Sequence, residues 1–226
     1  MIITAGTPVC NAKDPPLDSL GNPARGSIGG AVYDTDGNIY LITCYHCVIN
    51  ADLSYDQFVP GNGNDNVNGY AGGQPFSIGQ IINAKRDGSI DLAVIKPDLQ
   101  NNQVDFSIPN IGMLTGPGVL TPNDQNIVQL CKYGAVTDFT KGTYADVAPS
   151  TGALYPFDNS PHYLTNLLMV SGNSGYFSDV GDSGSFVVNS QNKMVGMIVM
   201  CDGSTSYAIN TVNLLNYFSF TFSLIV

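Results

Sequence analysis

The chain has 226 residues, 43% of them hydrophobic and 12% charged, which is enough for one or two domains with a buried core. Its 18 acidic and 8 basic residues give a net charge of −10 and leave no basic stripe, so the composition argues against a nucleic-acid partner. With 25 glycines, 13 prolines and many short apolar or alternating runs, the sequence predicts an all-β fold of short strands joined by turns.

The first segment, residues 1–25, is rich in proline and predicts an extended arm. It has no basic region followed by a long apolar core, so we predict no signal peptide. The apolar tail, residues 218–226, is too short to span a bilayer, so we predict no membrane span. A stretch rich in Gly and Asn, residues 59–74, predicts a surface loop.

Two apolar runs carry candidate catalytic residues. His46 lies in the run 40–49, which would bring its imidazole to the end of a strand, and Asp91 stands at the start of the run 90–95. A carboxylate embedded in such a run costs free energy unless it is paired, and an imidazole N–H is a suitable partner. The other histidine, His162, lies in a proline-containing segment that predicts an exposed loop.

The segment Gly181-Asp182-Ser183-Gly184-Ser185 carries the strongest chemical signal. A serine hydroxyl is a weak nucleophile that needs a nearby base and a site that accepts negative charge. Flanking glycines allow backbone N–H groups to converge on one point. Taken singly, a glycine-bounded serine is also compatible with a plain turn, a histidine at a strand end with a structural residue, and an aspartate opening a strand with a cap. Their joint occurrence favours catalysis.

These motifs resemble those of the chymotrypsin-like (trypsin-fold) serine proteases. Thr43–Val48 resembles the T-A-A-H-C-V motif, Asp91–Lys96 resembles D-I-A-L-L, and Gly181–Gly184 matches G-D-S-G. The order His, Asp, Ser is the order found in the family. Lys132–Thr137 with Gly142 resembles a hairpin common in bacterial trypsin-like proteins.

The resemblance spans roughly residues 26–218 and implies two antiparallel six-stranded β-barrels with the active site in the cleft between them. We expect a first barrel over residues 26–113, a connector over 114–124, and a second barrel with the C-terminal segment over 125–226. A short C-terminal helix is expected near residues 213–218.

The resemblance also assigns catalytic roles. Ser183 would be the nucleophile, His46 the general base, and Asp91 the group that orients the imidazole. The backbone N–H groups of Gly181 and Ser183 would form the oxyanion hole.

The substrate-binding residues implied by the resemblance are Phe177, Val199, Met200 and Cys201. The last three would pair with the substrate backbone by strand addition. Counting six residues back from the nucleophile places Phe177 at the floor of the primary pocket. No acid stands there, so a small or apolar preference is expected rather than one for Arg or Lys.

Five cysteines, an odd number, leave at least one thiol unpaired: Cys10, Cys44, Cys47, Cys131 and Cys201. The cysteine that pairs with the position of Cys47 in secreted animal trypsins is missing upstream, so we expect Cys47 to be a buried thiol. Cys44 and Cys47 have a spacing found in zinc and redox sites. No second ligand pair follows them, so we predict no metal and no cofactor. Buried thiols favour a reducing, intracellular compartment, although the sequence does not fix the location.

The function expected from the resemblance is that of a serine endopeptidase with a polypeptide substrate. The missing secretion signal and the missing zymogen features favour a specialised processing type over a digestive one. Arg25–Gly30 superficially resembles a zymogen cleavage site, but Ile28 lies too close to His46, so we predict a core strand there. What orients Asp182 is then open. The alternatives are a latent or closed protease-fold protein that acts as a regulatory binding module, an esterase with the same triad, and an enzyme that needs a protein activator.

Overall fold

The structure is a computed structural model, and it describes residues 1–13, 26–34, 36–49, 58, 61, 65–153 and 162–217. Strands account for most of the described residues. Those of the N-terminal half are β1 (Ile2–Ile3), β2 (Pro8–Asn11), β3 (Gly26–Ser27), β4 (Gly30–Tyr33), β5 (Ile39–Thr43), β6 (Asn66–Ala71), β7 (Gln74–Arg86) and β8 (Asp91–Pro97).

Four short strands lead to the second half: β9 (Gln103–Val104), β10 (Ser107–Ile108), β11 (Gly112–Met113) and β12 (Gly116–Pro117). The strands of the C-terminal half are β13 (Gln129–Gly134), β14 (Asp138–Ala153), β15 (His162–Gly172), β16 (Phe186–Asn189), β17 (Lys193–Cys201) and β18 (Thr205–Asn210). The helical segments are α1 (Tyr45–Val48), a 3₁₀ turn (Pro122–Asp124) and α2 (Thr211–Tyr217).

The first seven-stranded sheet has the order β3-β2-β6-β7-β8-β5-β4. Its two edge strands, β3 and β4, are consecutive parts of one extended segment. Between them, the Ile28 N–H donates to Thr7 O at 2.9 Å, while the Gly29 N–H donates to Ile42 O at 2.8 Å. This segment therefore bridges both edges of the sheet, which closes a barrel of six strands.

The second sheet closes directly. Its order is β12-β17-β16-β13-β14-β15-β18, and β18 also pairs with β17. Six antiparallel strands therefore form a ring, and β12 adds to it in parallel beside the start of β17. The predicted all-β fold of two six-stranded barrels with a short C-terminal helix is confirmed.

Each barrel is filled by side chains that alternate inward along its strands. In the first, Ile28, Leu41 and Ile95 are at most 1% exposed. In the second, Leu130 and Tyr144 are equally buried and belong to a separate core cluster. Burial of such side chains contributes roughly 1.5–3 kcal/mol each relative to exposure. No helix in the described part of the chain is long and apolar enough to cross a membrane.

Two interpretations of the sequence need correction. The predicted extended arm, residues 1–25, is wrong for its beginning, because Pro8–Asn11 pairs with both β3 and β6 in the first sheet. Residues 14–25 lie outside the described residues. The predicted loop 59–74 is also wrong in part, because Asn66–Ala71 forms a hairpin with β7.

Candidate active site

His46 and Asp91 meet because the strand that precedes His46 pairs with the strand that begins at Asp91. β5 pairs antiparallel with β8, so the end of β5 lies beside the start of β8, where Asp91 stands. His46 follows in α1, and its Nδ1 lies 2.8 Å from Asp91 Oδ2. The His46 backbone N–H donates to Asp91 Oδ1 at 3.1 Å. Both carboxylate oxygens are therefore bound to one residue, which fixes the imidazole.

The pair is buried. The Asp91 side chain has no exposed surface, and that of His46 is 12% exposed. Burial by itself would lower the pKa of His46, but the Asp91 carboxylate and the Cys47 thiol outweigh it and raise that pKa well above its usual range. The site therefore stabilises an imidazolium, which is the form that a general base acquires when it takes a proton.

The Ser183 turn belongs to the second barrel but is held by the first. The Ser27 N–H donates to Ser183 O at 2.7 Å, and Ser27 Oγ donates to Gly181 O at 2.9 Å. Gly184 has φ +97, and a Cβ there would lie 2.2 Å from Ser27 O, so only glycine allows this close approach. Strand β3 thus places Ser183 at the junction between the barrels.

His46 and Ser183 are connected through α1. The Cys47 thiol, next to His46 in this helix, faces Ser183 O at 3.6 Å. The Ser183 hydroxyl donates to Val199 O at 3.2 Å. This hydrogen bond to Val199 O must break before the hydroxyl proton can pass to His46.

The Gly181 and Ser183 N–H groups differ from their neighbours in hydrogen bonding. The Asp182 N–H donates to Asp179 O at 2.9 Å, and the Gly184 N–H donates to Ile198 O at 2.8 Å. Among the described residues, neither the Gly181 nor the Ser183 N–H donates to a protein acceptor. Gly181 has φ +103, a backbone conformation that glycine adopts easily. Two donors in one turn therefore remain available to a bound anion.

Asp182 is held by a lysine that the sequence analysis did not assign to the site. Lys132 Nζ lies 3.0 Å from Asp182 Oδ2, and neither side chain has exposed surface. The Val136 N–H donates to Asp182 Oδ1 at 2.9 Å, and Thr137 Oγ1 donates to Oδ2 at 2.6 Å. Lys132, Val136 and Thr137 all belong to the hairpin motif noted in the sequence, which is the signal that could have identified this contact.

The electrostatics of this pair follow from its burial. Burial would raise the pKa of Asp182, but Lys132, Thr137 and backbone N–H groups lower it overall. Burial also lowers the pKa of Lys132, and the attraction of Asp182 opposes this only in part. The carboxylate is the better satisfied partner, because several hydrogen bonds add to the ion pair.

The predicted substrate strand ends in an open edge. Val199 lies at a bulge in the pairing of β17 with β18, and within the described strands β16 pairs with β17 only as far as Met197. The Val199 side chain is 2% exposed, and its backbone carbonyl accepts the hydrogen bond from Ser183. Met200 and Cys201 are half-buried.

Cys44, His46 and Cys47 form a group of metal-ligating side chains, whose ligand atoms all lie within 4.8 Å of one another. Burial raises the pKa of Cys44 well above its usual value. Burial would raise that of Cys47 too, but a hydrogen bond with Cys44 and the charge of His46 lower it to about 6.

Comparison with solved structures identifies the fold. Thermobifida fusca Protease A superposes with a TM-score of 0.62 at 17% identity, over 98% of each chain. The alpha-lytic protease homolog N4 gives 0.64 at 18% identity, over 98% of this chain and all of the other. Nocardiopsis protease gives 0.61 at 18% identity, over 96% of each. The chain has the chymotrypsin-like serine protease fold. No family model and no curated protein matches the sequence.

Within this chymotrypsin-like fold, the assignment of Phe177 to the floor of a substrate pocket is wrong. Its side chain is 1% exposed and packs in the core of the second barrel with Leu130 and Tyr144. It offers no surface to a substrate, so the small or apolar preference inferred from it is withdrawn. The assignment failed because it counted back from Ser183 without regard to which way the chain turns.

Proposed function

We propose that this chain is a serine endopeptidase that cleaves polypeptides through Ser183, His46 and Asp91. The observation that carries the proposal is the buried 2.8 Å contact between His46 and Asp91, which lies beside the glycine-bounded turn of Ser183. A fully buried carboxylate bound to a histidine at a cleft is costly as packing alone, but it is the arrangement that a histidine base requires.

The reaction proposed is acyl transfer. The Ser183 hydroxyl turns from Val199 O towards His46, gives its proton to Nε2, and attacks the carbonyl carbon of the scissile peptide bond. His46 then donates that proton to the leaving amine, which leaves an acyl-serine. Water, deprotonated by His46, attacks the ester, and the proton returns to Ser183 as the acid product leaves.

The backbone of the turn supports this chemistry. The Gly181 and Ser183 N–H groups, which no described protein acceptor occupies, would receive the negative oxygen of the tetrahedral intermediate. The open edge at Val199–Cys201 would pair with the substrate backbone as an added strand.

The buried Lys132–Asp182 pair supports an enzyme that is competent without cleavage of a precursor. It supplies a positive charge to Asp182 from within the fold, so the Ser183 turn is held by the hairpin of β13 and β14. This fits the proposal of a specialised processing protease rather than one made as a zymogen.

A fluorophosphonate probe tests the proposal, because it labels only an activated serine. We expect one adduct by mass on the wild type and none on Ser183→Ala. Ser185→Ala is the matched control, because Ser185 Oγ lies in the same motif, is buried and makes no hydrogen bond. It should label like the wild type. An unlabelled wild type would contradict the proposal and favour the latent binding module. Cleavage of ester but not peptide substrates would favour an esterase.

A further inference from the structure

We propose that Cys44, His46 and Cys47 form an inhibitory site for a soft divalent cation such as Zn²⁺ or Cd²⁺. The inhibition rests on the function proposed above, whereas the binding does not. All three residues lie in or next to the single turn of α1, with Cys44 immediately before it.

The geometry is close to that of a metal site. The Cys47 N–H donates to Cys44 O at 3.3 Å, so one tight turn brings the two thiols to the same side. The two sulfur atoms and one ring nitrogen of His46 lie within 4.8 Å of one another. With metal–sulfur bonds of about 2.3 Å and metal–nitrogen bonds of about 2.0 Å, tetrahedral ligands lie about 3.5–4 Å apart. A closure of about 1 Å, within the reach of side-chain rotation, would complete the site.

The donor set suits a soft cation. Two thiolates and an imidazole select zinc or cadmium over magnesium or calcium, which prefer oxygen ligands. Asp91 already holds Nδ1 of His46 at 2.8 Å. A metal-binding histidine commonly donates its other N–H to a carboxylate in this way, so the cation would take Nε2.

The surroundings leave the thiols available as ligands. A Cβ at Gly26 would lie 2.1 Å from Cys47 Sγ, so this position makes room for the thiol without offering it a side-chain partner. Cys44 Sγ donates to Ile198 O at 3.2 Å, and Cys47 Sγ to Ser183 O at 3.6 Å. These are weak bonds to carbonyl groups. Two thiolates and a neutral imidazole would bind the cation, so its entry would release one proton from Cys44 and one from the pair of Cys47 and His46. The entry of M²⁺ and the release of 2 H⁺ leave the charge of the site unchanged.

The consequence follows from the shared imidazole. The nitrogen that would bind the cation is the one that takes the Ser183 proton in the proposed mechanism. A bound cation would therefore remove the base. The His46 side chain, 12% exposed, provides the route from the cleft to thiols that are themselves almost fully buried.

Cadmium binding tests the site independently of activity, through the ultraviolet charge-transfer band of cadmium thiolates. The protein is reduced with a phosphine and desalted before titration with Cd²⁺. We expect one tight Cd²⁺ per chain, bound at least tenfold more weakly by Cys44→Ser and by Cys47→Ser. Cys131→Ser, which removes a half-buried thiol of the second barrel, and His162→Gln should bind like the wild type.

Melting temperatures establish that each variant is folded. If Cys44→Ser does not fold, Cys47→Ser decides the question. An unchanged cadmium band in Cys47→Ser, or its loss in Cys131→Ser or His162→Gln, would overturn the site.

The inhibition is measured as the rate of fluorophosphonate labelling with and without Zn²⁺, relative to the metal-free rate of each variant. We expect at least a tenfold loss in the wild type and little in Cys47→Ser. Equal loss in both would overturn the inhibitory role. A wild type that is not labelled even without metal would count against the proposed function alone, because the cadmium titration still reports on the site.

Discussion

Single atoms at Asp91 determine what His46 can do. One carboxylate oxygen binds Nδ1 of the imidazole and the other binds the backbone N–H of the same residue. The first contact fixes the proton on Nδ1, which leaves Nε2 as the acceptor, and the second holds the start of α1 against β8. Orientation of the base therefore depends on a residue that would not itself touch the substrate.

Asp91→Asn should reduce peptide hydrolysis by about 10³–10⁴-fold and leave the fold intact. The amide has nearly the same shape but can present its NH₂ group to Nδ1, which would favour the wrong tautomer and would not stabilise the imidazolium. The measurement is kcat on a peptide substrate together with the rate of phosphonate labelling.

Asp87→Asn is the matched control for this substitution. Asp87 lies in the turn just before β8 and pairs with Lys85 at the surface, with its side chain 39% exposed. Its loss should change kcat less than twofold, since exposed ion pairs contribute little. A comparable loss of activity in both variants would show that Asp91 acts through the stability of the strand and not through His46.

At the scale of elements, the hairpin of β13 and β14 holds the Ser183 turn through contacts with the side chain of Asp182. Lys132 leaves β13, passes into the interior and meets Asp182, while Val136 and Thr137 at the hairpin end bind the same carboxylate. A Cβ at Gly134 would lie 2.3 Å from Asp182 Oδ1, so the hairpin backbone also approaches the carboxylate closely. The catalytic turn and the hairpin thus form one unit.

Lys132→Met should lower the free energy of unfolding by about 3–5 kcal/mol, because it leaves the buried Asp182 charge without its ion partner. The rate of phosphonate labelling should fall as well, since the turn that carries Gly181 and Ser183 loses its support. Urea unfolding and labelling rates measure the two effects.

The double variant Lys132→Met with Asp182→Asn separates charge from packing. Removal of both charges should cost clearly less than the sum of the two single substitutions, which is the mark of coupled partners. Costs that simply add would mean that the two side chains contribute independently, contrary to the contact described.

At the scale of the whole molecule, the sequence was sufficient for the fold because strand-length apolar runs and the order of the motifs around His46, Asp91 and Ser183 agree with each other. The sequence was insufficient where pairing with a strand far away in the chain determines whether a segment forms a strand. Pro8–Asn11 reads as part of an arm until β6 pairs with it. Asn66–Ala71 has a loop-like composition and becomes a strand only by pairing with β7.

The contacts of the site likewise fall into those that the sequence could predict and those that it could not. The contact between His46 and Asp91 could be inferred, because each residue lies at the end of an apolar run and the two runs resemble known motifs. The burial of Lys132 could not, because a lysine in a hairpin is typical of a surface, and its partner lies fifty residues further along. Phe177 was misplaced because an ungapped count does not reveal which side of the chain faces the cleft.

The acidic composition predicts how stability depends on pH. Among the described residues, five aspartates have lowered pKa values in the folded chain: Asp34, Asp87, Asp98, Asp124 and Asp182. A carboxyl whose pKa is lower in the folded than in the unfolded state contributes stability above its unfolded value, about 3.9, and loses that contribution as the pH falls through the folded value. Between these two pKa values the unfolded chain binds more protons than the folded one, so stability falls as the pH falls.

The contribution of these aspartates to the free energy of unfolding should therefore be nearly constant from neutral pH down to about 5 and should fall steadily below about pH 4. Asp182 should contribute most, because it is buried and faces Lys132, whereas the more exposed aspartates are screened by solvent. Urea unfolding between neutral pH and pH 3 measures the slope, and Asp182→Asn should be less stable at neutral pH but show a shallower decline. Stability that rises as the pH falls would mean that repulsion among the acidic side chains outweighs their hydrogen bonds. An equal slope in Asp182→Asn would place the proton uptake at other carboxyl groups.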